Sequence, residues 1–241
     1  ASWLVDVVNI LAGKFDRPGG LMFSNPIAPS MTNLRPPEFA EGWSFGRWKS
    51  RVRGAPEVLG QVPVSCLAEE IATPGKEQIR ALITIAGNPV LSAPDSEKLD
   101  AALPILECMV AVDNYLNETT RHAHVILPGL SPLEQPHYDE LLWSWAVRNA
   151  GKYSPPLFDP EPGRPHEWQI LLALAALLQG QKADDIDTDL LDDLFFAGLV
   201  ATFAGLSHSG IAGRDPGEVV ALAKGKGPER MLDFALRIGP W

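Results

Sequence analysis

Three short apolar runs near the middle of the chain alternate with loops of Gly, Asn, Asp and Pro. The runs are residues 81–86, 108–112 and 124–127. They are almost wholly apolar and contain several β-branched residues, a pattern typical of strands buried on both faces of a parallel sheet. A helix-compatible segment at about 94–103 follows the first run. The pattern therefore predicts a repeated unit of strand, tight loop and helix or polar segment.

Each run stops at residues that cannot extend a strand. The segment 87–89 (Gly-Asn-Pro) follows the first run, 113–114 (Asp-Asn) the second, and 128–129 (Pro-Gly) the third. Glycine permits unusual backbone angles, and proline has no amide hydrogen for a sheet ladder. If the strands are parallel, the three loops meet at one edge of the sheet and line one crevice. We expect the ligand in that crevice.

Helical patterns occupy the two ends of the chain. One amphipathic pattern covers residues 3–12 and stops at Gly13. The others cover residues 165–178, 188–204 and 216–237; Pro165 is expected at the first helical position, with Glu167 in the first turn. We predict three consecutive parts: an N-terminal helix with an irregular Pro/Gly-rich segment (1–63), an α/β core (64–182) and a helical extension (183–241).

Composition and charge exclude several classes of protein. The chain has 241 residues, 46% of them apolar and 21% charged, which suits a globular core. A net charge of −10 argues against non-specific nucleic-acid binding, which requires a positive field. No run of 18 apolar residues is present, so no membrane span is expected. Two unpatterned cysteines predict no disulfide framework and a cytoplasmic location.

A series of short motifs in fixed order resembles the molybdopterin oxidoreductases, which include formate dehydrogenases, dimethyl sulfoxide reductase and nitrate reductases. Each motif is weak alone, and the resemblance depends on their order and spacing over about residues 3–178. The segments 11–20 and 164–169 resemble the stretches that flank the unit in that family. The motifs themselves are residues 85–89, 110–113, 118–119, 125–128 and 133–134.

The chain also departs from that family. His124 stands where an Asp is usual, and Gln135 where a basic residue and a Gly-rich run are usual. The two cysteines, Cys66 and Cys108, form neither an iron–sulfur motif nor a recognisable molybdenum ligand. We therefore expect a piece of a larger molybdenum-dependent oxidoreductase that is inactive by itself.

The resemblance implies an α/β, Rossmann-like three-layer domain with a mostly parallel sheet and additional C-terminal helices. It also implies that this domain holds part of a molybdopterin guanine dinucleotide, at its guanosine end, in the full-length parent. We expect no cofactor in the chain by itself. The expected partners are the remaining domains of the parent and an iron–sulfur or other electron-transfer protein. The alternative from a different functional class is a standalone nucleotide-binding or protein-interaction module without redox chemistry, and a third possibility is a purely structural subunit.

Each candidate contact has a simpler interpretation. Asn88 offers a donor and an acceptor to a nucleotide, but its segment is also an ordinary strand-ending turn. The Asp113 carboxylate can accept two hydrogen bonds from guanine or a ribose diol, or it can cap the next segment. Thr119 and Thr120 are ligand contacts or turn formers, and Gln135 is a cofactor contact or an exposed loop residue. The predicted cofactor-binding residues are Gly87, Asn88, Pro89, Val112, Asp113, Thr119, Gln135 and His166.

Metal binding by side chains of this chain is not expected. His122 and His124 lack a third ligand at a suitable spacing, and zinc requires three or four. Six Asp residues lie between positions 184 and 193, but the calcium-loop positions of Gly and Glu are not filled. We interpret that stretch as a solvated acidic connector.

Overall fold

The computed structural model describes residues 2–23, 27–28, 45–58, 60–207 and 209–239. These residues form two compact units, and each unit draws on separated stretches of the chain. The sheet unit comprises the described residues within 35–135 and 156–195, and the helical unit those within 1–34, 136–155 and 196–241. The division into three consecutive parts, with boundaries after residues 63 and 182, stays a prediction.

The elements follow one another in the order expected for a mixed α/β chain. The strands are β1 (Phe45–Lys49), β2 (Pro56–Val58), β3 (Ala81–Ile85), β4 (Cys108–Val112), β5 (Val125–Leu127), β6 (His137–Tyr138) and β7 (Tyr153–Ser154). The α-helices are α1 (Ser2–Leu11), α2 (Leu67–Ala72), α3 (Pro89–Ser92), α4 (Ser96–Ala102), α5 (Glu140–Ser144), α6 (Glu167–Leu178), α7 (Thr188–Gly205), α8 (Pro216–Leu222) and α9 (Gly227–Ile238). In the described part of the chain, every helix is too short or too polar to cross a lipid bilayer.

The three apolar runs form the parallel sheet of the sheet unit, in the order β3-β4-β5. Ile85 pairs with Val112, and Val112 pairs with Leu127, so all three strands end at the same level. The α/β, Rossmann-like fold class is confirmed. The loops after the strands consequently share one edge of the sheet, which is the geometry that the sequence predicted.

Helices α2, α3 and α4 pack on one face of this sheet. Ile71, Leu99 and Met109 are buried in their common core, with Leu82 of β3 packed against it. On the opposite face, Ile83 and Val125 lie in the same row across the sheet and are 38% and 48% exposed. Side chains that alternate along β3 therefore meet a core on one side and a more open surface on the other.

The helical unit has a separate core built around three phenylalanines. Phe234 of α9 is fully buried and packs edge-to-face with Phe196 and Phe203 of α7, at centroid distances of 5.5 and 5.7 Å. Arg230 covers the ring of Phe196 at 4.7 Å. Aromatic contacts of this geometry stabilise a core beyond the area they bury.

Several predicted helix boundaries were wrong. The helix expected at 94–103 is shorter and is preceded by α3. Residues 216–237 form two helices, because Pro228 lies in the first turn of α9 and a proline there cannot continue α8. Pro165 precedes α6 instead of beginning it. His166 is the N-cap with extended backbone, and its N–H donates to the Gln169 side chain at 2.9 Å.

The N-terminal segment expected to be irregular contains the antiparallel hairpin β1–β2; residues 24–26, 29–44 and 59 of that segment lie outside the described residues. Glu57 is fully buried in the hairpin. It accepts hydrogen bonds from the Arg47 side chain at 2.7 Å, from the Arg47 N–H at 3.2 Å and from the Gly60 N–H. The bond from Arg47 is the main reason that the pKa of Glu57 falls to about 2.

We expect the hairpin to open in acid because of Glu57. A carboxyl group whose pKa is lower in the folded protein stabilises the fold above its ordinary pKa of 4.5, and this contribution disappears as the pH falls towards about 2. The protection of the amides of residues 45–58 against hydrogen exchange, taken relative to the intrinsic exchange rate at each pH, should fall across that window. Glu57→Gln should already show lower protection at neutral pH and lack the further fall in acid. The exposed Glu77→Gln is the matched control, and identical pH profiles for wild type and Glu57→Gln would contradict the assignment.

Candidate functional site

A cavity of about 350 Å³ opens at the carboxyl edge of the parallel sheet. Its walls come from the loops after the strands and from the start of α6. Ala86, Gly87 and Asn88 follow β3, while Val112, Asp113, Asn114, Tyr115 and Asn117 end and follow β4. Gly129, Pro132, Gln135 and Glu167 complete the lining. The crevice that the strand pattern predicted is therefore present in the described structure.

Five of the predicted cofactor-binding residues line this cavity, namely Gly87, Asn88, Val112, Asp113 and Gln135. The other three predicted residues are not among those that line it. Pro89 is the first residue of α3, Thr119 is fully buried, and His166 caps α6. Ligand contact by any of these residues stays a prediction.

The backbone turns sharply at Ala86, directly after β3. Its φ of 47° is in the left-handed region, which costs a residue with a side chain about 1–2 kcal/mol. The Ala86 N–H still donates to the Val112 carbonyl at 2.9 Å, so hydrogen bonding between β3 and β4 continues one residue past the end of β3. This turn directs the next residues, Gly87 and Asn88, along the wall of the cavity.

The Asn88 side chain joins the loops after β3 and β4. Its Nδ2 donates to Glu118 at 2.7 Å, and its Oδ1 accepts from the Thr119 hydroxyl at 2.7 Å. The bond from Asn88 is also the main cause of a lowered pKa for Glu118. Both ends of the amide thus have partners within the protein. The structure gives this side chain a positioning role between two loops.

Thr119 and Thr120 are buried and hold loops with their hydroxyl groups. The Thr119 hydroxyl also accepts from the Val90 N–H at 3.0 Å, which fixes the start of α3. The Thr120 hydroxyl accepts from the Asn117 N–H and donates to the Tyr115 carbonyl, both at 2.8 Å. Of the two interpretations left open by the sequence, the observed contacts correspond to the turn-forming one.

Asp113 organises the turn after β4. Its Oδ1 accepts from the Tyr115 N–H at 3.0 Å, and its Oδ2 accepts from Asn117 Nδ2 at 3.2 Å. The carboxylate therefore caps a turn, as the simpler interpretation required, and it also lines the cavity. Each carboxylate oxygen can accept a second hydrogen bond, so this turn leaves acceptor capacity for a ligand.

Arg164 holds in place the loop after β5, which forms part of the cavity wall. Its Nη2 donates to the Gly129 carbonyl at 2.8 Å, and its Nη1 lies 3.4 Å from Glu134. Glu134 in turn accepts from the Ser131 N–H at 2.9 Å, and this bond is the largest cause of its lowered pKa. Gly129 packs so closely on α6 that a Cβ there would lie 3.3 Å from the Cβ of Glu167. A side chain at position 129 would therefore require α6 to shift by a few tenths of an ångström at Glu167.

The charged residues of the lining are both acidic, Asp113 and Glu167. The sequence predicted Glu167 at a helix start but not in the site, and it did not indicate Tyr115, Asn117 or Pro132 as lining residues. Their position in loops directly after strand ends was the available signal. The cavity therefore offers carboxylate and amide acceptors to groups that bear N–H or O–H donors.

The two histidines considered as metal ligands have other partners. His122 Nε2 lies 2.7 Å from Asp100, and His124 Nδ1 accepts from the Met109 N–H at 2.9 Å. Within the described ranges, no group of three His, Cys, Asp or Glu side chains is arranged to hold a metal ion. The expectation of a solvated acidic connector at 184–193 fails at Asp192, which lies on α7 and is only 6% exposed.

Comparison with known proteins identifies relatives over most of this region. The model of the molybdopterin oxidoreductase family matches residues 2–176. The assimilatory nitrate reductase catalytic subunit of Bacillus subtilis (strain 168) is 31% identical over 138 residues, which cover 54% of this chain and 18% of the relative. The F420-dependent formate dehydrogenase 1 subunit alpha of Methanococcus maripaludis is 36% identical over 59 residues, or 24% of this chain and 9% of the relative. The matches span less than a fifth of either relative.

Proposed function

Because the chain belongs to the molybdopterin oxidoreductase family, we propose that it holds the guanosine end of a molybdopterin guanine dinucleotide within a larger oxidoreductase. The observation that supports this most directly is the acidic cavity where β3, β4 and β5 end. When bound, the cofactor supplies oxygen-atom or hydride-equivalent transfer coupled to two electrons. The contribution of this chain is to bind and orient one end of it.

The size and chemistry of the cavity fit a nucleoside. Its volume of about 350 Å³ is within the range of small-molecule sites, roughly 300–1,000 Å³. Guanine presents adjacent N–H donors, and ribose presents hydroxyl donors, which match carboxylate acceptors. Among the described residues that line the cavity there is no Lys or Arg, so a pyrophosphate group is the poorer match for this part of the site.

We assign different tasks to the residues around the cavity. Asp113 accepts hydrogen bonds from the base or the ribose, and Gln135, which also lines the cavity, offers both a donor and an acceptor. Gly87 brings the backbone close to the ligand, and Val112 forms an apolar floor. Thr119 supports the site by holding Asn88.

Two further residues support the walls of the site. Pro89 begins α3 directly after Asn88, and His166 caps α6 beside Glu167. We propose that the predicted importance of both residues lies in fixing the ends of these helices against the cavity, not in direct contact with the ligand.

The complete enzyme tests this function. We propose that it is cytoplasmic and that the remaining domains, with an iron–sulfur or other electron-transfer partner, complete it. After gel filtration it should contain molybdenum and guanine nucleotide in a fixed ratio to protein. Bound GMP or GDP without molybdenum would favour the alternative, a nucleotide-binding module without redox chemistry. The absence of any guanine nucleotide would contradict the assignment of this cavity.

We expect the 241-residue chain by itself to be catalytically silent. Cys66 is buried, and Cys108 is far from it in sequence, so neither belongs to a Cys-x-x-Cys pattern that would bind an iron–sulfur cluster. Purified chain should contain no stoichiometric molybdenum or iron, and it should neither reduce nitrate nor oxidise formate with artificial dyes. Stoichiometric metal by elemental analysis together with dye-linked turnover would disprove this prediction.

A further inference from the structure

Tyr115 combines an exposed ring with a firmly held backbone at the mouth of the cavity. The residue lines the cavity, yet it is 69% exposed. Its N–H donates to the Asp113 carboxylate at 3.0 Å, and its carbonyl accepts from the Thr120 hydroxyl at 2.8 Å. An aromatic ring that is mostly in solvent contributes little to the core, and one held at the mouth of a cavity is accessible to a ligand.

The loop that presents Tyr115 is locked from within. The Asn117 Oδ1 accepts from the N–H groups of Thr119 and Thr120 at 3.0 and 2.9 Å, and Asn117 Nδ2 donates back to Asp113. Thr120 is buried beneath the loop. The backbone from 113 to 120 is therefore ordered before any ligand arrives, and the entropic cost of binding is reduced accordingly.

We infer that Tyr115 is a stacking residue for the nucleobase whose edge Asp113 binds. This inference rests on the proposed function, because it names the contact that one residue makes in that same site. Asp113 and Tyr115 are two positions apart, and the turn between them is closed by their own hydrogen bond. One residue then reads the polar edge of the base, while the other covers its flat face. An aromatic ring suits that face because every base has a π surface.

The test uses the complete enzyme and three variants. Tyr115→Ala removes the ring, Tyr115→Phe keeps the ring without its hydroxyl, and Leu116→Ala is the control. Leu116 is the adjacent residue, is even more exposed at 77%, and is not among the residues that line the cavity. The rate at which guanine nucleotide is lost during prolonged dialysis is measured for each protein by chromatography after acid hydrolysis.

Stacking predicts a specific order of rates. Tyr115→Ala should lose the nucleotide about five- to fiftyfold faster than wild type, by analogy with alanine substitution of other base-stacking aromatics, whereas Tyr115→Phe and Leu116→Ala should match wild type. A wild-type enzyme that holds the nucleotide, with an unchanged rate for Tyr115→Ala, overturns this inference and leaves the proposed function intact. Equal acceleration by Tyr115→Phe also overturns it, because the hydroxyl would then be the contact. A wild-type enzyme without guanine nucleotide would contradict both this inference and the proposed function.

Discussion

Replacement of Asp113 by Ala in the complete enzyme is expected to reduce cofactor retention about ten- to a hundredfold. A hydrogen bond to a charged group contributes roughly 1.5–3 kcal/mol, which corresponds to this range. Asp113 is placed for such a bond because it lines the cavity and each of its two carboxylate oxygens accepts one hydrogen bond from the described residues, at 3.0 and 3.2 Å, and can accept a second. The measurement is the ratio of molybdenum and guanine to protein after gel filtration.

Asp113→Asn separates the ligand contact from the turn. Asparagine forms the same side-chain-to-backbone turn as aspartate, so the bond to the Tyr115 N–H should survive. The charge and one acceptor are lost, and retention should fall less than in Asp113→Ala. Equal molybdenum and guanine contents in wild type and Asp113→Ala would return Asp113 to a purely turn-capping role.

Replacement of Phe234 by Ala should destabilise the helical unit by about 3–5 kcal/mol. The ring is fully buried and contacts two other rings at 5.5 and 5.7 Å, so its removal leaves a cavity between α7 and α9. Urea denaturation followed by circular dichroism measures the change in the free energy of unfolding. Any separate transition of the sheet unit should keep its midpoint.

Phe195→Ala is the matched control for this experiment. Phe195 is the residue before Phe196 on α7, and it is 57% exposed. Surface substitutions of this kind usually change stability by no more than about 0.5 kcal/mol. If Phe195→Ala and Phe234→Ala lowered the free energy of unfolding equally, the three-ring core would not determine the stability of this unit.

The sequence predicted the sheet because the relevant signals are local. An apolar run followed by Gly87 or by Pro128 contains both the strand and its stop within a few positions, and the observed β3, β4 and β5 begin and end within one residue of the predicted runs. The common level of the strand ends also follows from parallel pairing. The location of the cavity could therefore be predicted before any coordinates were considered.

The detailed roles within the cavity depend on contacts between distant positions, which local patterns do not contain. Nothing in the sequence indicates that Glu118 and Thr119 hold both ends of the Asn88 amide, so its role in joining two loops could not be predicted. The proximity of Gly129 to Glu167 is likewise set by packing on α6. The prediction that Pro165 is the first residue of α6 was wrong. Proline is common at that position, but here His166 is the N-cap and Pro165 precedes it.

Each of the two units is built from separated stretches of the chain, so the two are completed at different times during synthesis on the ribosome. All residues that line the cavity have been synthesised once Glu167 emerges, whereas Phe196, Phe203 and Phe234 appear later. Helix α1, with Trp3 and Leu11 largely exposed, belongs to the compact unit that these phenylalanines complete. At about 5–20 residues per second, synthesis of the chain between α1 and Phe234 takes roughly ten to forty seconds. The ligand site can therefore fold on the nascent chain before the helical unit that contains α1 has been completely synthesised.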